Sequence, residues 1–165
     1  IGSEIAGLFS RMGYRTLGWS RSGRAVEGVG THAGQAGLET VLAAADHVIS
    51  ILPSTASTRN LFDARHLALM KPGATLINCG RGDAVVDADL LAALDTGTPG
   101  HAVLDVFREE PLPGDHPFWH HPGVTITPHV SGWHVDGMAE TIANNYIRLV
   151  AGEPLLHEVD RQTGY

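Results

Sequence analysis

Ala74-Thr75-Leu76-Ile77-Asn78-Cys79-Gly80-Arg81-Gly82 is an apolar run that stops abruptly in a polar turn, with one arginine set between two glycines. Bounded by Pro72-Gly73 on one side and Gly80 on the other, it has the length and continuity of a strand in a parallel sheet covered on both faces, which needs no apolar/polar alternation. Ligands of open α/β sheets sit at the carboxyl ends of such strands. The strand is therefore read as delivering one cation to a ligand. Flanking glycines let the backbone approach closely, and a guanidinium grips a carboxylate through two parallel hydrogen bonds. The same turn would also suit an ordinary surface arginine, because position in a fold does not by itself establish function.

Composition bounds the choices around this strand. A chain of 165 residues, 43% hydrophobic and 18% charged, suffices for one globular domain and its core. The net charge of -7, from 11 Lys+Arg against 18 Asp+Glu, argues against a nucleic-acid or anionic-membrane partner, so any anionic ligand must be held by local cations. A single cysteine, Cys79, excludes an intrachain disulfide and fits a reducing compartment. There is no bilayer-length apolar run and no signal peptide, and the expectation is a soluble, cytoplasmic protein.

Towards the amino terminus, Ile5, Leu8, Phe9 and Met12 recur at helical spacing and Gly13 is placed to end the helix, so residues 3–12 read as an amphipathic helix before a strand over 14–19. A helix opening at a glycine and leading into a strand matches the latter part of a dinucleotide-binding βαβ unit, with Gly2 as the last glycine of the fingerprint. At the end of that strand an NAD site would place an acid for the ribose 2′-hydroxyl. Ser20, Arg21 and Arg24 suit a 2′-phosphate instead, which favours NADP(H) and leaves NAD(H) as the lesser option. A solvated basic loop is the plainer reading of those arginines.

Further along, a short strand near 29–31, a helix around Leu38, Val41 and Leu42, and a buried strand over 47–52 lead into the hydroxyl-rich loop 53–58. A helix within 61–70 precedes the strand that ends at Arg81, and Asp87 reads as the N-cap of a helix over 88–94 with Gly97 beyond it. Strands over 101–107 and 124–127 follow, and the stripe Met138, Ile142, Tyr146 and Leu149 predicts a helix over 135–151. His116, His120 and His121 cluster between the last two strands. Pro117 and Pro122 break any common helix and no cysteine or acidic cluster completes a ligand set, so no metal site is expected.

Three strand ends thus offer Arg81, Asp105 with Glu110, and His129, and a parallel sheet gathers such ends along one edge. A positioned histidine gives a proton to a carbonyl oxygen as hydride reaches its carbon, a neighbouring carboxylate such as Glu110 favours the imidazolium, and Arg81 would hold a substrate carboxylate beside the carbonyl. That chemistry calls for a 2-oxo acid.

Ile77-Asn78-Cys79-Gly80-Arg81-Gly82, Leu104-Asp105-Val106-Phe107 with Glu110-Pro111-Leu112, and Thr127-Pro128-His129 resemble, in order and spacing, the signatures of the D-isomer-specific 2-hydroxyacid dehydrogenases. Trp19-Ser20-Arg21-Ser22 and the ending Val159-Asp160-Arg161 to Gly164-Tyr165 resemble the glyoxylate/hydroxypyruvate reductase branch. The resemblance implies a Rossmann-type doubly wound parallel sheet, with Arg81 on the substrate, Glu110 and His129 as the acid/base pair and Asp105 at the nicotinamide. It further implies that Leu52, Ser57, Cys79 and Gly80 line the cofactor site. Formate dehydrogenases of the same superfamily lack the acid partner, so Glu110 counts against that assignment.

Family members carry a substrate domain and a first strand before the helix that opens here. The expectation is accordingly an incomplete dinucleotide-binding domain over 1–133, a helix and tail over 134–165, and a gap between the strands over 14–19 and 47–52 that leaves two unpaired edges. The resemblance also implies a homodimer for the full-length protein, with Trp133 and the following helix as candidate contacts. A non-catalytic dinucleotide-sensing or corepressor-like module, an inactive fragment, and a reductase of bulkier 2-oxo acids stand as alternatives.

Overall fold

The computed structural model describes residues 1–132 and 137–158. Its elements are α1 (Gly2–Arg11), β1 (Leu17–Trp19), β2 (Gly30–His32), α2 (Gly34–Ala44), β3 (His47–Ser50), α3 (Ala64–Leu67), β4 (Thr75–Asn78), α4 (Asp87–Thr96), β5 (His101–Leu104), β6 (Val124–Ile126) and α5 (Met138–Ala151). All pairings between these strands are parallel: β1 with β2, and β3-β4-β5-β6 in that order. Parallel neighbours require a crossover. α3 supplies it between β3 and β4, α4 between β4 and β5, and a long loop with a 3₁₀ turn at Pro117–Trp119 between β5 and β6. This is the α/β Rossmann-type architecture expected from the strand and helix pattern.

One face of the four-stranded sheet holds the core. Val48, Leu76, Ala102 and Leu104 alternate with half-buried or exposed neighbours along their strands and pack with Leu38 and Leu42 of α2, Leu67 of α3, and Leu90 and Leu94 of α4. The expectation of strands covered on both faces therefore holds on one face, while Thr75, Ile77, His101 and Val103 are half-buried on the other. Gly13, at φ +90, ends α1 as its position implied.

The sheet is interrupted between β1 and β3, where the sequence placed the gap. A cleft of ≈ 830 Å³ opens there, lined by Ile5 and Phe9 of α1, Leu17 and Trp19 of β1, and Val48 and Ile49 of β3. Ile49 remains 37% exposed on this side, a large apolar side chain without cover.

Local readings are corrected in several places. Val86, not Asp87, is the N-cap of α4; Asp87 is its first residue, and its carboxylate faces Arg108 Nε at 3.7 Å and His116 Nε2 at 3.5 Å. An acid in the first turn still complements the helix dipole. The helix expected within 61–70 is α3, held to a single turn because Phe62 pairs with Val85 in an extended bridge and Asp63 caps the turn by accepting from His66 N at 2.9 Å. β3, β5 and β6 end earlier than expected, since their last residues already belong to the loops after the strands, and β1 begins later, at Leu17. α5 buries none of its residues, leaving Met138, Ile142, Tyr146 and Leu149 exposed. Its expected start at 135, Trp133 and the 159–165 ending lie outside the described residues.

Candidate active site at the carboxyl edge of the sheet

Register brings the strand ends flush. Asn78 of β4 lies opposite Ser50 of β3 and Leu104 of β5, and the ladder continues into the loops through Cys79 N to Ser50 O, Asp105 N to Asn78 O and Thr127 N to Leu104 O, each 3.0 Å. Residues far apart in sequence leave the sheet at one level as a result.

The turn after β4 is set by Asn78, which is fully buried. Its Nδ2 donates to Arg81 O at 3.0 Å and its Oδ1 accepts from Gly80 N at 3.2 Å, an Asx-type arrangement that fixes the backbone on both sides of the arginine's approach. The Arg81 side chain is exposed and donates from Nη1 to Gly80 O at 2.7 Å. Gly82 passes against the next loop so closely that a Cβ there would overlap the carbonyl of Phe107 and the nitrogen of Arg108. Glycine is required at that crossing.

After β5, the chain folds back on itself so that Glu110 Oε1 accepts from Phe107 N at 2.9 Å, while Glu110 Oε2 meets His129 Nδ1 at 2.7 Å. Partial burial pushes the Glu110 carboxyl up, but the Phe107 N–H, the hydrogen bond and charge of His129 and the nearby Arg81 guanidinium outweigh it and hold the carboxyl below its ordinary range. The carboxylate thus engages Nδ1 and leaves Nε2 as the second ring nitrogen, one that can exchange a proton. Arg81, Glu110 and His129 are brought together as their strand positions implied.

His129 sits at φ +54, a left-handed conformation that is uncommon outside glycine. Asp105 holds it there. Its buried carboxylate accepts from Thr127 Oγ1, from Val130 N at 3.0 Å and from Ser131 N at 2.9 Å, so it grips the chain on both sides of His129. Burial alone would raise the Asp105 carboxyl; these donors override it and bring it down to about 2.

Gly2, Ser20, Arg24 and Leu52 all line the cleft, and Arg21 is exposed in the turn just past β1. Space around Gly2 at the start of α1 is open, with nothing within 4 Å of a Cβ built on it. Gly80 approaches Leu52 so closely that a Cβ would lie 2.6 Å from the Leu52 nitrogen and oxygen. Cys79 is half-buried beside it, and Ser57 is exposed with its Oγ 3.1 Å from Thr55 Oγ1. Among the described residues no group of three or more His, Cys, Asp or Glu side chains is placed to hold a metal ion.

The family model described as D-isomer specific 2-hydroxyacid dehydrogenase, NAD binding domain, matches residues 1–131. The chain belongs to this family. The dehydrogenase relatives include glyoxylate/hydroxypyruvate reductase A of Serratia proteamaculans, 39% identical over 166 residues, which cover 100% of this chain and 53% of the relative. Among solved structures, a D-isomer specific 2-hydroxyacid dehydrogenase from Xanthobacter autotrophicus in complex with NADPH and MES superposes with a TM-score of 0.93 at 41% identity, over 99% of this chain and 68% of that one. The NADPH-dependent glyoxylate/hydroxypyruvate reductase of Sinorhizobium meliloti, in complex with NADP and sulfate, gives 0.90 at 39% identity over 99% and 54%. The chain spans about half the length of the curated relatives it matches.

Two residues of this candidate site escaped sequence reasoning. Asn78 stood in the quoted motif without a role, although an Asn two residues before a glycine at a strand end is a recognisable turn signal. Thr127 carried no local signal, since its task is to donate to a carboxylate 22 positions away.

Proposed function

We propose that this chain is the dinucleotide-binding part of an NADP(H)-dependent reductase that converts small 2-oxo acids such as glyoxylate or hydroxypyruvate into D-2-hydroxy acids. The observation that carries the proposal is the 2.7 Å contact between His129 Nδ1 and Glu110 Oε2 at the sheet edge beside Arg81. The residues fit a dinucleotide: open space faces Gly2 at the start of a ten-residue helix, whose amides favour a pyrophosphate, and Ser20, Arg21 and Arg24 follow β1, where a 2′-phosphate would lie. The relatives solved with NADPH and NADP support this cofactor over NAD(H).

When bound, the reduced nicotinamide supplies a hydride to C2 of the substrate. Arg81 holds the substrate carboxylate and orients the adjacent carbonyl. His129 gives the Nε2 proton to the carbonyl oxygen as the C2–H bond forms, and the Glu110 carboxylate stabilises the imidazolium charge until then. The neutral imidazole regains a proton from solvent, and the reverse sequence oxidises the D-2-hydroxy acid. Asp105 keeps His129 in place. We further infer that residues 1–133 act as the nucleotide domain and 134–165 as a connection to a substrate domain.

The test is NADPH oxidation with glyoxylate and hydroxypyruvate by the complete protein. His129→Ala is expected to lower kcat by at least 10³-fold, at the upper part of what general acid catalysis contributes, with NADPH affinity unchanged. Wild-type turnover in that variant would overturn the role. Binding of NADPH without any 2-oxo acid reduction by the wild type would point instead to a non-catalytic sensing module.

A further inference from the structure

Arg108 is the conspicuous cation that the proposed chemistry leaves unused. It belongs to the loop between Phe107 and Glu110, yet its side chain turns away from that loop to Nε–H donation onto Val85 O at 2.6 Å and Nη2–H donation onto Asp83 O at 3.2 Å. The same Nη2 donates to Asn60 Oδ1, and Asp87 Oδ1 lies 3.7 Å from Nε. Asn60 is itself in a left-handed conformation, at φ +56, and its N–H also donates to Asp83 O, at 2.8 Å. One planar guanidinium therefore joins the loops after β3, β4 and β5.

The two carbonyls it holds belong to the turn that follows Arg81, and the residue it grows from lies two positions before Glu110. Those same two loops cross backbone to backbone at Gly82. We propose that Arg108 is a positioning residue for this site, which fixes the Arg81 turn against the Glu110 loop and so sets the distance from Glu110 to His129. It needs arginine: a lysine ammonium has the charge but cannot direct parallel N–H groups from a rigid fork at separate carbonyls.

The proposal rests on the function assigned above, and its test has one readout that does not. In Arg108→Lys of the complete protein, kcat for 2-oxo acid reduction is expected to fall 10- to 100-fold while the dissociation constant for NADPH changes less than twofold. The acid limb of the kcat/KM profile should move to higher pH, because Glu110 loses the Phe107 N–H and the Arg81 charge that hold its carboxyl down, with His129 the remaining charged group facing it. Adding Glu110→Gln to Arg108→Lys should cost little beyond Glu110→Gln alone, as expected of residues acting through one another. Independently of any turnover, carbon-13 labelled glutamate should show the Glu110 carboxyl titrating at higher pH in Arg108→Lys than in the wild type. An unchanged Glu110 titration, or fully additive losses in the double variant, would overturn the proposal. A wild type that reduces no 2-oxo acid but shows the titration shift would remove the functional assignment and leave the positioning role standing.

Discussion

Replacing Asp105 by asparagine tests how His129 is held. The substitution keeps shape and one acceptor oxygen but turns the second oxygen into an NH₂ group, so a donor faces donors from among Thr127, Val130 and Ser131. Its magnitude follows from the carboxyl's depression from 3.8 to about 2. At about 1.4 kcal/mol per tenfold in acidity, the folded state prefers the carboxylate by roughly 2 kcal/mol. For a chain of this size about 1 kcal/mol corresponds to roughly 2–4 °C in Tm, so Asp105→Asn should melt roughly 4–8 °C lower at pH 7. The sign of the pH dependence is fixed: a folded-state value below the unfolded one gives stabilisation that is complete above about pH 4 and is lost as pH falls through about 2. Thermal or urea melts of both proteins at pH 7, 4 and 2 should therefore converge on acidification. Turnover in the variant should fall more steeply than stability at 25 °C, because the released segment no longer keeps His129 at φ +54. Equal melting at pH 7, or a difference that persists unchanged from pH 4 to pH 2, would refute the assignment of the Asp105 contacts as charged.

Charge reversal at Arg21 addresses the cofactor: Arg21→Asp should weaken NADPH at least tenfold, about 1.4 kcal/mol, with little change for NADH, as read by fluorescence titration of each nucleotide. Equal effects on both would remove the 2′-phosphate role. Gly82→Ala should destabilise by about 3 kcal/mol or more, at or beyond the usual range of overpacking, because the added Cβ meets the Phe107 backbone rather than a movable side chain. A urea midpoint within error of the wild type would show that the two loops can separate freely.

Much of the site was legible because parallel strands make linear position informative. Each βα unit exposes the residue just past its strand on the same edge, so Arg81 after β4, Glu110 after β5 and His129 after β6 could be grouped from sequence order. Helix stops such as Gly13 and Gly97 were legible for a similarly local reason, since only glycine takes a positive φ cheaply. The N-cap of α4 was misplaced because Asp87 turns to non-local partners, Arg108 and His116, which lie 21 and 29 positions further on. The helix expected within 61–70 is only one turn long because Phe62 is drawn into the bridge with Val85, again a contact made only after the chain has folded.

The sequence by itself determined the parallel α/β order, the interruption before β3 and which carboxylate, imidazole and guanidinium meet at the sheet edge, because these follow from local periodicity and from side-chain chemistry at fixed offsets from strands. Tertiary structure decided which groups orient them. The Asp105 grip on both sides of His129, the Asn78 bracket around Gly80 and the Arg108 rivet across three loops depend on register, on one guanidinium's reach and on a backbone crossing at Gly82. None of these has a sequence period, since each is a hydrogen bond or close approach whose partners meet only once the strands are paired.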